Sequence, residues 1–221
     1  AFSVERGKNK VLVVGGGIAG MAAGMHLAEL GIEVYLLDSA PAIGGSMHLL
    51  DHTFPSNSCG ICLMLPQQPA FCPTFECEAK ENLHLLPYAE VAGVTWEEGA
   101  CQVTIRHKAR YVDVARCDGC GDCAEVCPEA GPNEFDMGLA ARKAIYIPFP
   151  QAVPASYIIK PEDCLGTNPI ACGKCADACE RDAINFDAQD EIVTREVGTI
   201  VVATGMDVYD PTPYDEYGYT R

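Results

Sequence analysis

The hydrophobic pattern opens with Lys10 to Val14 (KVLVV), a short β-branched run with the composition of a buried strand. It leads straight into Gly15-Gly16-Gly17-Ile18-Ala19-Gly20. Ile18 to Leu30 has helical composition and meets a stop at Gly31. Glu33 to Leu37 (EVYLL) reads as a second strand, ending in Asp38. Leu83 to Glu90, Val91 to Trp96 and Cys101 to His107 read as further strands, with Glu98-Gly99 as a hairpin turn. Alternation in Gln102 to Arg106 fits a half-exposed sheet. Strand character returns at Ile192 to Glu196, and Thr199 to Ala203 is expected to be another buried strand, closing on Thr204-Gly205. Between these apolar runs, the prolines of Lys143 to Pro154 (KAIYIPFPQAVP) predict an extended, rigid strap rather than a helix. Asp207 to Arg221 is acidic, Tyr-rich and irregular.

Strand, G-x-G-x-x-G, helix, strand, acid is the order of a dinucleotide-binding unit. In that reading Gly15 permits the tight turn. Gly17 lets the backbone approach a pyrophosphate at the helix N-terminus, beside Ile18 and Ala19. Gly20 lets helix and strand pack closely, and Asp38, followed by Ser39, is placed to accept bonds from ribose hydroxyls. Ala40-Pro41-Ala42-Ile43-Gly44-Gly45-Ser46 follows the second strand. A Gly-Gly pair there, and the Ala-Thr-Gly strand end at Thr204-Gly205, resemble the flavoproteins that include thioredoxin reductase. The chain has no second G-x-G-x-x-G. FAD is therefore expected rather than NAD.

Cysteine spacing adds a second chemistry. Cys117-x2-Cys120-x2-Cys123-x3-Cys127-Pro128 is the bacterial ferredoxin signature. Cys164-x7-Cys172-x2-Cys175-x3-Cys179 keeps the C-x2-C-x3-C half and stretches the first gap. Zinc sites and disulfides are the competing uses of such cysteines, but zinc motifs rarely take this form, and paired runs make coincidence improbable. In two-cluster ferredoxins the last cysteine of each run crosses to the other cluster. The pattern thus assigns one [4Fe–4S] cluster to Cys117, Cys120, Cys123 and Cys179, and a second to Cys164, Cys172, Cys175 and Cys127. Cys59-x2-Cys62-x9-Cys72-x4-Cys77 matches no such signature. A third cluster or metal site, a Cys59–Cys62 redox dithiol, and inert buried thiols all stay open for it. Cys101 reads as a structural thiol. No acid–base pair or nucleophile points to hydrolysis; catalytic residues are unassigned.

Composition narrows the setting. The chain has 221 residues, room for one or two domains, and 13 cysteines. The polar, charged opening Ala1 to Lys10 is unlike a signal peptide, and cluster-spaced cysteines argue for a reducing, anoxic cytoplasm. No apolar stretch approaches the ~20 residues of a membrane span. Thirty-one acids against fifteen bases give a net charge of −16 with no basic patch, which speaks against nucleic acid. Such acidity serves solubility, or it steers a positively charged redox partner.

Taken together, VVGGGIAGM (Val13 to Met21), IGGSM (Ile43 to Met47), DHTFPSNSCGIC (Asp51 to Cys62), RYVDVARCDGCGDCAEVCP (Arg110 to Pro128), RKAIYIPFPQAVP (Arg142 to Pro154) and VGTIVVATG (Val197 to Gly205) resemble the A-subunit family of heterodisulfide reductases. Relative to that family the chain is short at both ends, and His52 stands where a Lys is common. The resemblance implies an α/β, Rossmann-like FAD-binding fold over residues 1–110 and 189–221. An α+β bacterial two-[4Fe–4S] ferredoxin domain over 111–188 is inserted into it. It also implies an oxidoreductase subunit passing electrons between flavin and clusters. Its partners would be other subunits of such a complex and a hydrogenase, formate dehydrogenase or ferredoxin-type protein. The rival reading is a non-catalytic electron wire or docking module with two clusters on a partial nucleotide-binding fold.

Overall fold

The computed structural model describes residues 9–50, 77–97, 99–167, 170–207 and 209–219. Strands β1 (Lys10–Val14), β2 (Glu33–Asp38) and β3 (Leu83–Pro87) lie parallel, and the return strand β11 (Thr199–Val202) joins β1 from the other side. The four form one sheet in the order β11-β1-β2-β3. Helix α1 (Ile18–Glu29) covers one face. Its Met21, Met25 and Ala28 bury against Val11, Val13, Val34, Leu36 and Leu83. The central strands carry apolar side chains on both faces because both faces are covered. The helix stops at Leu30, where Gly31 takes φ +79° and donates its N–H to Ala28 O at 2.9 Å.

A three-stranded antiparallel sheet, ordered β10-β5-β4, covers the opposite face. It comprises β4 (Ala89–Glu97), β5 (Ala100–His107) and β10 (Glu191–Val197). The expected alternation is visible in β5. Cys101, Val103 and Ile105 are buried against Leu12, Tyr35 and Leu37, while Gln102, Thr104 and Arg106 face away. Cys101 is a core thiol, as read from the sequence. Leu83 to Glu90, expected as one strand, is two strands. Tyr88 takes φ +58° and turns the chain from the parallel sheet into the antiparallel one. Thr199 to Ala203, expected to be buried, is instead an edge strand whose Val202 is 71 % exposed. An apolar β-branched run looks the same at an edge as in the middle, because its neighbours decide which it is.

Strand β10 pairs with β5 over its own whole length, from Glu191↔His107 to Val197↔Cys101. The cysteine-rich stretch therefore leaves and re-enters the second sheet at adjacent points. It contains β6 (Ala130–Pro132), β7 (Ala141–Lys143), β8 (Ile145–Tyr146), β9 (Ile158–Ile159) and two four-residue helices, α2 (Asp122–Glu125) and α3 (Lys174–Asp177). Its ends are tied together by the Val112↔Ile184 bridge and by Asp113 N–H to Ala183 O and Asn185 N–H to Tyr111 O, at 2.8 and 3.0 Å. The proline stretch contains no helix, as expected, but it is extended only at its start: after Tyr146 it turns, with the Ala152 N–H donating to Phe149 O at 3.0 Å. It starts in the cysteine-rich core at Ile145 and ends in the nucleotide-fold core at Val153, with Phe149 packed on Ala42 between them. No helix among the described residues is long and apolar enough to cross a membrane.

Candidate functional site

The carboxyl ends of β1, β2 and β11 converge on a cleft of about 560 Å³. Open α/β sheets bind ligands in this position. Gly15, Gly17, Ile18, Ala19, Asp38, Ser39, Gly45, Ser46, Thr204 and Gly205 line it, together with Met47, Ala89, Glu90, Val91, Met206 and Asp207, which the sequence did not single out. The glycines have separable reasons. A Cβ on Gly15, which sits at φ +109°, would fall 2.2 Å from Ala203 O. A Cβ on Gly20 would fall 1.7 Å from Gly15 O, so Gly20 serves helix–strand packing and lies outside the cleft. Gly44, also outside the cleft lining, takes φ +130° ahead of the Gly45–Leu49 turn.

Gly17 differs from both. It has an ordinary φ of −75°, and a Cβ there would meet only Gly45 Cα, at 3.8 Å. Nothing among the described residues requires a glycine at this point. What a side chain would fill is the cleft beside the N-terminus of α1, where no side chain caps the helix. That is the cradle a pyrophosphate needs.

Asp38 does more than the sequence suggested. Its Oδ2 accepts the Gly16 N–H at 2.7 Å and its Oδ1 accepts the Ala40 N–H at 2.8 Å. The carboxylate thus pins the glycine loop to the turn after β2 while lining the cleft. Burial pushes its pKa up, against those two bonds. The turn itself carries His48, stacked on Phe149 with centroids 4.2 Å apart and more distantly on Phe135. Its Nδ1 is buried, and burial holds its pKa below the usual value, against the Asp38 charge and the Gly45 backbone.

Eight cysteines sort into two groups across the runs. Cys117, Cys120, Cys123 and Cys179 line one cavity with Val112, Tyr157 and Ile184. Cys127, Cys164, Cys172 and Cys175 line the other with Leu165, Ile159 and Phe186. Ile145 forms a wall of both. The local sequence explains the placement. Gly121 and Gly173 each start a single helical turn that carries the third cysteine inward, so Cys123 and Cys175 are the buried members. None of the eight forms a disulfide. Burial, with Cys117, Cys120, Cys175 and Cys179 nearby, pushes the Cys123 thiol up to about 12. Burial, with Cys164 and Cys127 nearby, pushes Cys175 to about 11. Thiols crowded this way hold thiolate charge only against a cationic core.

Among the described residues no three His, Cys, Asp or Glu side chains close on a point that a single ion would occupy. A larger groove of about 710 Å³ runs along β3 beside Lys108 and Arg110. It contains neither glycine loop nor cluster cysteine, so here chemistry identifies the site and size does not. Of the remaining cysteines, Cys77 is buried in the main core. Cys59, Cys62 and Cys72, with His52, lie outside the described residues.

Fold and site together define a Rossmann-type nucleotide-binding protein that carries a ferredoxin-type 4Fe–4S-binding region. Comparison with known proteins agrees at both places. Residues 13–60 match the NAD(P)-binding Rossmann-like domain family and residues 110–130 match the 4Fe-4S binding domain family. The chain is 44 % identical over 213 residues to the A-subunit of the H(2):CoB-CoM heterodisulfide,ferredoxin reductase of Methanothermobacter marburgensis, covering 96 % of this chain and 31 % of that protein. It is 48 % identical over 211 residues to an iron-sulfur A-subunit of the CoB–CoM heterodisulfide reductase of Methanopyrus kandleri, covering 96 % and 30 %. It is 35 % identical over 218 residues to the A-subunit of the ferredoxin:CoB-CoM heterodisulfide reductase of Methanosarcina mazei, covering 98 % and 26 %. The chain belongs to the A-subunit family of heterodisulfide reductases and spans about a third or less of the length of these relatives.

Proposed function

We propose that this chain is the flavin- and iron–sulfur-binding part of an electron-transfer subunit in a heterodisulfide-reductase-like oxidoreductase. FAD would occupy the cleft, and two [4Fe–4S] clusters the two cysteine cavities, with crossed ligands. The observation that carries the reading is the sorting of the cysteines. Cys179 joins the first run's cavity and Cys127 joins the second run's, the arrangement of two-cluster ferredoxins. When bound, the flavin supplies paired-electron exchange and the clusters single-electron exchange.

The chain's own residues bind and orient. Gly17 opens the cradle, and the N-terminus of α1 with Ile18 and Ala19 faces it. Asp38 holds the loop and presents its carboxylate to a ribose. Ser39, Gly45, Ser46, Thr204 and Gly205 shape the walls. In this reading 1–110 and 189–221 form one nucleotide-binding unit and 111–188 the inserted cluster unit. The partners are other subunits of such a complex and a ferredoxin- or hydrogenase-type electron source. The names of the relatives support this, since they couple the heterodisulfide to ferredoxin, hydrogen or formate.

The test is cofactor content after anaerobic purification. The reading expects about eight irons per chain from these cavities, with bound flavin. Four irons or fewer in reconstituted protein would overturn it. Full iron without flavin would instead favour a docking module that carries electrons through clusters alone. About twelve irons would bring Cys59, Cys62, Cys72 and Cys77 in as further ligands.

A further inference from the structure

Arg110 is a largely buried cation whose charge no carboxylate among the described residues offsets. Its guanidinium donates to three backbone carbonyls: Nη1 to Pro41 O at 2.7 Å, Nη2 to Ser156 O at 3.0 Å and Nε to Tyr157 O at 3.2 Å. The ion pairs of the neighbourhood bypass it. Arg142 takes Glu134 and Asp163, Lys160 takes Glu134, and Lys108 reaches Glu90. Carbonyl dipoles engage all three of its nitrogens but leave a net positive charge in place. Burial pulls its pKa down to about 10, with Cys117 the foremost group favouring the cation. The side chain therefore remains charged at neutral pH.

Its position gives that charge a use. Tyr157, whose carbonyl Arg110 holds, lines the cavity of Cys117, Cys120, Cys123 and Cys179, as does Val112, two residues along the chain. Pro41 lies in the turn between β2 and Gly45, one wall of the dinucleotide cleft. The guanidinium lines neither cavity, but it ties the backbone segment that leads to the cleft wall to the segment that carries Tyr157. Other cations stand nearby: Arg181, paired with Asp118, lines the first cavity, Lys174 lines the second, and Lys143 Nζ donates to the carbonyl of Cys127 at 2.7 Å.

We propose that Arg110 is a positioning residue that raises the reduction potential of the cluster held by Cys117, Cys120, Cys123 and Cys179. Each one-electron reduction adds a negative charge to the cluster and its thiolates. A fixed, largely buried cation nearby stabilises the reduced form more than the oxidised one. The second cluster, beyond Ile145, feels this charge less. The inference rests on the two-cluster reading above.

The experiment is a redox titration of the full-length, anaerobically purified protein, followed by electron paramagnetic resonance, with Arg110→Gln and Arg110→Lys beside the wild type. The signals are assigned beforehand with Cys120→Ala and Cys172→Ala. Arg110→Gln keeps amide donors for the carbonyls and removes the charge. Its first cluster should titrate at a more negative potential, with the second unmoved. Arg110→Lys keeps the charge and loses the three-carbonyl fork, and its first cluster should stay at the wild-type potential. An unchanged first cluster in Arg110→Gln, or an equal shift of both clusters, overturns the proposal. Should Arg110→Gln lose that cluster's iron, Arg110→Lys decides: the wild-type potential supports the role of charge, and a negative shift overturns it. Absence of two cluster signals in the wild type would instead overturn the functional reading on which this rests.

Discussion

The nucleotide cleft and the cysteine cavities sit on one chain and are built by opposite means. At the start of α1 the cleft is backbone, where Gly17 leaves space by lacking a side chain and no side chain caps the helix. The cavities are made of side-chain atoms, eight sulfurs on loops with little regular structure. A backbone site is robust to most substitutions and fragile at a few glycines. A thiolate site fails at single atoms. The substitutions below test that contrast in order of expected effect.

The largest effect should come from single sulfurs. Cys179→Ala should cost the cluster built on Cys117, Cys120 and Cys123, leaving a three-iron or labile site there, while the Cys164 cluster persists. Cys127→Ala should do the converse. Paramagnetic resonance against Cys120→Ala and Cys172→Ala references reads this directly. If Cys179→Ala and Cys172→Ala perturb the same signal, the ligands do not cross.

Next come two glycines that look alike in sequence. Gly20→Ala places a methyl 1.7 Å from Gly15 O, so the helix must move off the strand. We expect a loss of about 3 kcal/mol or more in denaturant unfolding, with flavin lost because the fold is damaged. Gly17→Ala meets no protein atom closer than 3.8 Å, and its stability should stay within about 0.5 kcal/mol of wild type. Its flavin content should fall while iron is unchanged. Equal flavin in Gly17→Ala and wild type would remove the cradle assignment.

A side-chain network gives the intermediate case. Arg142 is buried, forks onto Glu134 at 2.5 and 2.6 Å, reaches Asp163 at 2.9 Å and lies over the Tyr146 ring. The fork, Lys160 and the other donors around it hold the Glu134 carboxyl down to about 2. Arg142→Met should destabilise by about 2–3 kcal/mol. Because Asp163 directly precedes Cys164, the second cluster should become more labile to chelators than the first. Equal lability of both would place the network outside cluster support.

The smallest effect concerns His48. Burial lowers its folded pKa from 6.5, outweighing the Asp38 charge that raises it. The unfolded chain therefore binds the extra proton first. His48's contribution is complete above about pH 6.5 and is lost as pH falls below that value. Between pH 7.5 and 5.5 the melting temperature of the wild type should drop further than that of His48→Phe, which keeps the stack on Phe149. Equal drops would mean that this ring does not sense pH.

Much of this was legible in the sequence, for physical reasons. Short apolar or alternating runs pointed to β1, β2 and β5 because pattern and burial coincide there. The glycine loop and the cysteine runs were legible because each needs a fixed spacing to do its chemistry. Other features have no spacing signature. The edge position of β11 depends on what lies beside it. The roles of Gly17 and Gly20 separate only when the atom opposite each can be named. The two-oxygen grip of Asp38 on neighbouring backbone N–H groups is hidden, since a ribose-binding acid and a loop-pinning acid occupy the same place in the motif. Arg110 is visible in the sequence only as part of a matching stretch, because backbone carbonyls as partners leave no trace there.

The pairing of β10 with β5 over its own whole length has a consequence for how the molecule is made. The second sheet cannot close until the chain returns from its cysteine-rich excursion, and closing a loop of that length is entropically costly. The excursion brings its own ends together through Val112↔Ile184 and the flanking hydrogen bonds, which turns a distant encounter into a local one. Iron delivery, by ordering the excursion around its sulfurs, should thus set the tempo at which the nucleotide-binding half matures. A cell short of iron would accumulate chains with an open second sheet and an exposed strand edge at β5, a substrate for proteases. Limited proteolysis of protein made with and without iron, scored for cuts near His107, would show whether assembly is gated in this way.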